Sequence, residues 1–439
     1  MAVCGASLAG LRAAQTLRAE GHRGPIVMIG EERHLPYDRP PLSKQVLAGT
    51  WPAEKAVLAD RKALDELAID LRMGVPAVGC DPETGVVTLA DGTAVGAGGI
   101  VLATGAQPRL LPGLPPPGGR GPVHVLRTLD DEMALRARLG EAGASPRVVV
   151  VGAGFIGSEV AATCAQMGCR VTVVEISTTP LAGALGEQVG AAVAALHGIH
   201  GVALRTGVGV AQVRAAGPVP AAPPGSAGSL QSSGAVPAGA PRGPRGAVEV
   251  VLSDASTLEA DVVVVGIGVA PSTGWLSGTG LGIQDGVRCD RALFAADGVV
   301  AAGDVARWDW EHDETVESVR IEHWQVAAEA GVAAARSLLA GRRQAPAFRP
   351  VPYFWSDQYG LRIQVLGHPD PADELVVVDG ALTTDPGADQ PSRFFALYGR
   401  RGRLSGAVAL SRPRPLMAVR PLLERGCSLD EALASARSA

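Results

Sequence analysis

The sequence predicts an α/β protein of two doubly wound domains followed by a smaller C-terminal α+β domain. Three observations carry that expectation: short β-branched runs alternating with alanine-rich stretches, two glycine-rich turns that each open such a stretch, and a change of pattern after Phe348. Residues 26–29, 148–151, 171–174 and 262–265 are runs of β-branched and apolar residues without charge, as in parallel strands buried on both faces and joined by crossover helices. The glycine turns begin near residues 5 and 152, so two such units are expected. Beyond residue 348 shorter strand-like segments appear at 375–378 and 394–397, and helix formers at 416–436 are expected to cap that last domain.

At 439 residues the chain exceeds what one hydrophobic core organises, so two or three domains are required. Its 47% hydrophobic and 19% charged residues, with 57 glycines and 33 prolines, fit a packed fold rich in tight turns. A net charge of -5 without a basic run argues against nucleic-acid partners. The N-terminus has no secretory pattern and no apolar stretch is long enough to span a bilayer, so a cytoplasmic protein without a membrane partner is expected. Cys4, Cys80, Cys164, Cys169, Cys289 and Cys427 form no C-x-x-C pair and no cluster with histidine, so they read as reduced, mostly buried thiols rather than metal ligands. Residues 215–247 are almost entirely Pro, Gly, Ala and Ser with a few arginines, a composition too poor in apolar surface to order itself. They read as a flexible excursion between two strands of the second domain.

The second glycine motif is complete: Gly152-Ala153-Gly154-Phe155-Ile156-Gly157 follows a strand and opens a helix. This is the Rossmann-like arrangement, in which the first glycine allows the turn, the second admits a pyrophosphate and the third lets helix and strand pack closely. Glu175 ends the next strand, where a carboxylate accepts both ribose hydroxyls and repels a 2′-phosphate, so NAD is favoured over NADP. The first motif, Gly5-Ala6-Ser7-Leu8-Ala9-Gly10, has serine for the middle glycine, and by itself is as compatible with a structural turn as with a nucleotide site. Glu31 again falls at a strand end, and a third strand closes on Gly303-Asp304, which would set a carboxylate beside the ribityl chain of a flavin if the three pieces meet.

Pro40-Pro41-Leu42-Ser43-Lys44, Ala103-Thr104-Gly105, the complete second motif, Gly303-Asp304 and Trp355-Ser356-Asp357-Gln358-Tyr359 together resemble the putidaredoxin reductase family, which includes rubredoxin reductases and the ferredoxin reductase components of dioxygenases. The resemblance spans nearly the whole chain outside 215–247. It implies a glutathione reductase-like fold, with an FAD domain from 1–119 and 261–341, an NAD domain at 120–260 and an interface domain at 342–439. It also implies an NADH-oxidising FAD enzyme that passes electrons to a small [2Fe–2S] ferredoxin or rubredoxin serving a P450 or Rieske oxygenase, as a monomer or weak homodimer. Ala9, Glu31, Lys44, Ala77, Arg127, Asp304 and Trp324 fall on its FAD-contacting positions, and Gly266 lies in the segment that returns the chain to the FAD domain. Lys44 stands where the family places a lysine near the flavin N5, Glu159 matches its acidic partner, and Trp355 is placed over the flavin edge; these three are the expected catalytic residues. Each also has a plain structural reading, as a loop lysine, a helix-surface glutamate and a core aromatic of a small domain.

His323 is read as structural, because hydride transfer to a flavin needs no separate acid. A disulfide, peroxide or oxygen reductase, or NADH oxidase, of the same fold would place a cysteine within residues 36–44, and there is none. An apoptosis-inducing-factor-like signalling flavoprotein is the alternative from another class. An arginine group at 400, 401 and 403 is a candidate for steering an acidic partner, or simply a solvated face.

Overall fold

The computed structural model describes residues 1–119, 121–215, 247–312, 315–382 and 393–438. Its first sheet has the order Phe294–Ala296, Val299–Ala301, Ile100–Leu102, Ala2–Cys4, Ile26–Gly30 and Ile69–Met73. All neighbours are parallel except the edge strand Phe294–Ala296. Although only three residues long, Ala2–Cys4 lies in the middle of the sheet and is fully buried, with Ala2 opposite both Val27 and Ile100. Helices Leu8–Ala19 and Trp324–Ala340 pack against each other over this sheet, which gathers sequence from both ends of the chain into one core.

The second sheet is parallel throughout, ordered Ala203–Thr206, Arg170–Glu175, Arg147–Val151, Val262–Val265 and Val123–His124. Val262–Val265 is thus a strand of this second sheet, whereas the expected return to the FAD domain starts at residue 261. The crossing back comes later, where Val269–Pro271 pairs with Ala106–Pro108. A run of four valines buried on both faces looks alike in either sheet, and only its pairing with residues 148–151 decides its place.

Alternate residues of a strand face opposite sides. Val148, Val150, Val262 and Val264 meet helices Leu129–Glu141 and Phe155–Gln166. Val149, Val151, Val263 and Val265 meet an antiparallel sheet of Val210–Ala215, Val248–Leu252 and Thr257–Ala260. One face is therefore covered by strands rather than by the helices expected. The excursion read at 215–247 falls mainly outside the described residues; its flanks, Ala215 and Val248, are direct partners across the antiparallel pair.

The C-terminal unit is an antiparallel sheet ordered Tyr353–Gln358, Leu361–Gly367, Arg403–Leu410, Phe394–Arg400 and Glu374–Gly380. One face packs on helices Pro413–Ala418, Arg420–Glu424 and Leu429–Ser438. The other shares a core with helices Ala182–Leu185 and Glu187–Ile199 of the second domain, through Leu185, Val189, Leu196, Ile363, Phe394 and Tyr398. The Tyr398 hydroxyl donates to the Leu185 carbonyl at 2.7 Å. This shared core clamps the C-terminal sheet against the nucleotide domains. No described helix is long and apolar enough to cross a membrane.

Candidate functional site

The two glycine turns are built alike. Gly152 has φ +98°, and a Cβ there would stand 2.4 Å from the Gly266 carbonyl oxygen, while one at Gly157 would stand 2.1 Å from the Gly152 oxygen. Neither position tolerates a side chain. Gly154 is extended and faces open space, so its lack of a side chain leaves room in front of the helix N-terminus. Gly5 and Gly10 repeat the close approaches of Gly152 and Gly157, and Ser7 occupies the place of Gly154. Because that position is extended, serine fits without strain. Its hydroxyl makes no capping bond, so the helix Leu8–Ala19 keeps its first N–H donors free, as does Phe155–Gln166. Such ends attract phosphate.

Both helix N-termini open into one cavity of about 1340 Å³. That exceeds the roughly 300–1,000 Å³ of ordinary small-molecule pockets. Of the residues expected at the FAD site, Gly5, Ser7, Ala9, Glu31, Lys44 and Ala77 line it, together with Ala103, Thr104, Gly105, Arg127, Gly303, Asp304 and Trp324. From the second domain come Gly154, Phe155, Ile156, Gly157, Glu159 and Gly266, and from the C-terminal domain Trp355. Gly10, Gly152 and Glu175 do not reach its wall. The first two act beneath it by permitting the turns. Glu175, the last residue of its strand, accepts the backbone N–H of Ala153 at 2.7 Å and of Ser177 at 2.8 Å, so its carboxylate braces the glycine turn. Arg127 donates to Asp304 at 2.9 Å, joining the start of the second domain to the strand end Gly303-Asp304.

The pair expected from resemblance meets: Lys44 Nζ lies 2.6 Å from Glu159 Oε2, with side chains 10% and 3% exposed. Buried charges of this kind persist when paired and further hydrogen-bonded. Further donors are present. Ser43 Oγ donates to the same oxygen at 2.6 Å, while Ser356 Oγ at 2.8 Å and the Asp357 N–H at 3.3 Å reach Glu159 Oε1. Ser43 and Ser356 stand within the motifs that carried the resemblance, but sequence reasoning assigned them nothing. Serines are common beside lysine and tryptophan, and no local pattern reveals that both hydroxyls converge on a residue more than 100 positions away.

Part of the remaining wall is aromatic. The Trp355 ring lies edge-on to Trp324 with centroids 6.1 Å apart and stacks with Tyr353 at 6.0 Å. Trp324 is anchored by an Nε1–H donated to Asp38 at 2.6 Å. Burial pushes the Asp38 carboxyl up, with Trp324 and Lys44 opposing. Phe155 packs edge-on against Phe354 at 4.7 Å. His323 lines the cavity too, yet burial pushes its imidazole down to about 4, so near neutrality it is uncharged and no ready acid. No cysteine lines the cavity among the described residues. Arg400 is paired with Asp373 at 2.8 Å and Arg403 donates to the Gly426 carbonyl, so two of the three arginines expected to steer a partner are engaged within the C-terminal domain itself.

The site suits a dinucleotide carrying an aromatic ring system. It offers two open helix ends for phosphates, a strand-end carboxylate at Glu31, and two indoles in the same wall as Lys44. The family description "Pyridine nucleotide-disulphide oxidoreductase" matches residues 1–331, and "Reductase C-terminal" matches 353–439. The chain is 37% identical to the anthranilate 1,2-dioxygenase system ferredoxin–NAD(+) reductase component of Burkholderia cepacia, over 98% of this chain and 95% of that protein. It is 34% identical to rhodocoxin reductase of Rhodococcus erythropolis, over 96% and 88%. The solved covalent putidaredoxin reductase–putidaredoxin complex aligns with a TM-score of 0.82 at 28% identity, covering 100% of this chain and 99% of that one. With its two glycine turns opening on one cavity and a reductase C-terminal domain closing it, the chain belongs to the pyridine nucleotide-disulphide oxidoreductase family.

Proposed function

We propose that the protein is an FAD-dependent NADH:ferredoxin reductase that delivers electrons to a small [2Fe–2S] ferredoxin or rubredoxin, acting as a monomer or weak homodimer. The observation that supports this best is the single cavity shared by both glycine turns, with Lys44–Glu159 at their junction and Trp355 on the C-terminal wall. The absence of cysteine from the described wall disfavours disulfide and peroxide chemistry. Bound FAD would supply the two-electron chemistry with NADH and the one-electron chemistry with a carrier. The N–H groups of Leu8–Ala19 with Glu31 would hold one nucleotide, and those of Phe155–Gln166 the other, whose ribose would lie beyond the cavity wall beside Glu175. Lys44, held in place by Glu159, would supply that group with a fixed positive charge. Trp355 and Trp324 exclude water from the ring edge on the side of the C-terminal domain.

Purified protein should be yellow, be bleached by NADH faster than by NADPH, and reduce at least one member of a ferredoxin and rubredoxin panel. Trp355→Ala should slow transfer to the carrier more than it slows reduction by NADH at full FAD occupancy. A protein that takes up a hydride but holds its electrons for minutes against every carrier would be a signalling flavoprotein instead.

A further inference from the structure

Glu159 accepts from four donors, two from each side. Lys44 and Ser43 belong to the first domain, whereas Ser356 and the Asp357 N–H belong to strand Tyr353–Gln358 of the C-terminal sheet. A carboxylate offers about four acceptor positions, so this one is filled. Ser356 is 0% exposed, and Gln358 Nε2 donates to its oxygen at 3.1 Å. The hydroxyl therefore has its accepting side occupied and its proton directed at Glu159. Successive residues of a strand face opposite ways, so the strand that presents Trp355 to the cavity presents Ser356 to the carboxylate behind Lys44. A shift of this strand thus moves the cavity's aromatic cover and the charge balance at Lys44 together.

We propose that Ser356 is a positioning residue that couples the C-terminal domain to the reduction potential of the flavin, by sharing the Glu159 carboxylate with Lys44. With the hydroxyl in place, part of the carboxylate's charge is met from the C-terminal side, and more of the Lys44 charge remains for the electron-rich reduced ring. Without it, Glu159 turns its full charge on Lys44 and the reduced ring loses stabilisation. This rests on the proposed FAD site but not on the identity of the electron acceptor.

The test is anaerobic dye-equilibrated potentiometry of the FAD-bound protein, with no carrier present. Ser356→Ala should lower the two-electron midpoint, making reduction about tenfold less favourable, which is about 30 mV for such a couple. Ser356→Thr, which restores a hydroxyl, should return the midpoint toward the parent value. Ser356→Cys preserves shape but donates weakly and should also lower it, so it serves if the alanine variant fails to fold. A merely structural serine would cost thermal stability and leave the potential alone. An unchanged midpoint in a flavin-saturated alanine or cysteine variant would overturn this inference and leave the proposed function standing, whereas a parent protein unable to bind FAD would overturn both.

Discussion

Glu159→Gln isolates the charge of the central pair while nearly keeping its shape. The substitution deprives the Lys44 ammonium, 10% exposed, of its ion-pair partner, and turns a donating NH₂ toward two of the four donors that now converge on the carboxylate. Breaking one half of a buried ion pair costs about 3–5 kcal/mol, mostly because the surviving charge stays buried. The same change alters the field at the ring just as a hydride arrives, so stopped-flow reduction by saturating NADH should slow. Stability is read from the urea midpoint of FAD-saturated protein, and the control is Lys44→Met combined with Glu159→Gln. Removing both charges should recover more than half of the loss, giving a coupling energy well outside the ~0.5 kcal/mol expected for independent sites. A single variant within that margin of the parent, or a double variant whose losses simply add, would show that the pair is not the buried, mutually dependent unit inferred from its geometry.

Glu175→Ala should erode the preference for NADH, each tenfold loss corresponding to about 1.4 kcal/mol; because the carboxylate also holds the Ala153 and Ser177 N–H groups, NADH affinity should fall as well, and equal parent rates with NADPH would refute the assignment. Replacing residues 216–247 with Asn-Gly joins Ala215 to its strand partner Val248 through a two-residue hairpin turn, and FAD content and NADH turnover should be nearly unchanged. A large loss of turnover in a folded deletion variant would reveal a function in that segment. His197, bonded to Tyr359 at 2.6 Å and facing His200 and Ser158, is pushed down to about 4 by burial. In the unfolded chain it protonates from about 6.5 downward, so the unfolded state takes up the proton first as pH falls. Native stability should therefore drop between about pH 6.5 and 4, and His197→Gln should flatten that slope by up to about 1.4 kcal/mol per pH unit; an unaltered slope would refute the buried neutral histidine.

The sequence by itself determined the local chemistry of this protein. Gly5, Gly10, Gly152 and Gly157 announce two turns because backbone pressed against backbone admits no other residue, and that constraint is written at fixed spacing. Continuous valine runs announce buried parallel strands for the same reason: each residue meets a packed surface. Lys44, Glu159 and Trp355 are legible only by resemblance, since nothing in residues 44, 159 and 355 themselves says that they line one cavity. What the tertiary structure alone decided concerns partners distant in the chain. It put Val262–Val265 in the second sheet, covered one face of that sheet with strands, and spent Arg400 on Asp373. It also drew Ser43 and Ser356 onto one carboxylate, where each hydroxyl satisfies a buried charge. A buried polar group must be hydrogen-bonded, but which groups satisfy it depends on three domains closing around one point, and no short stretch of sequence carries that information.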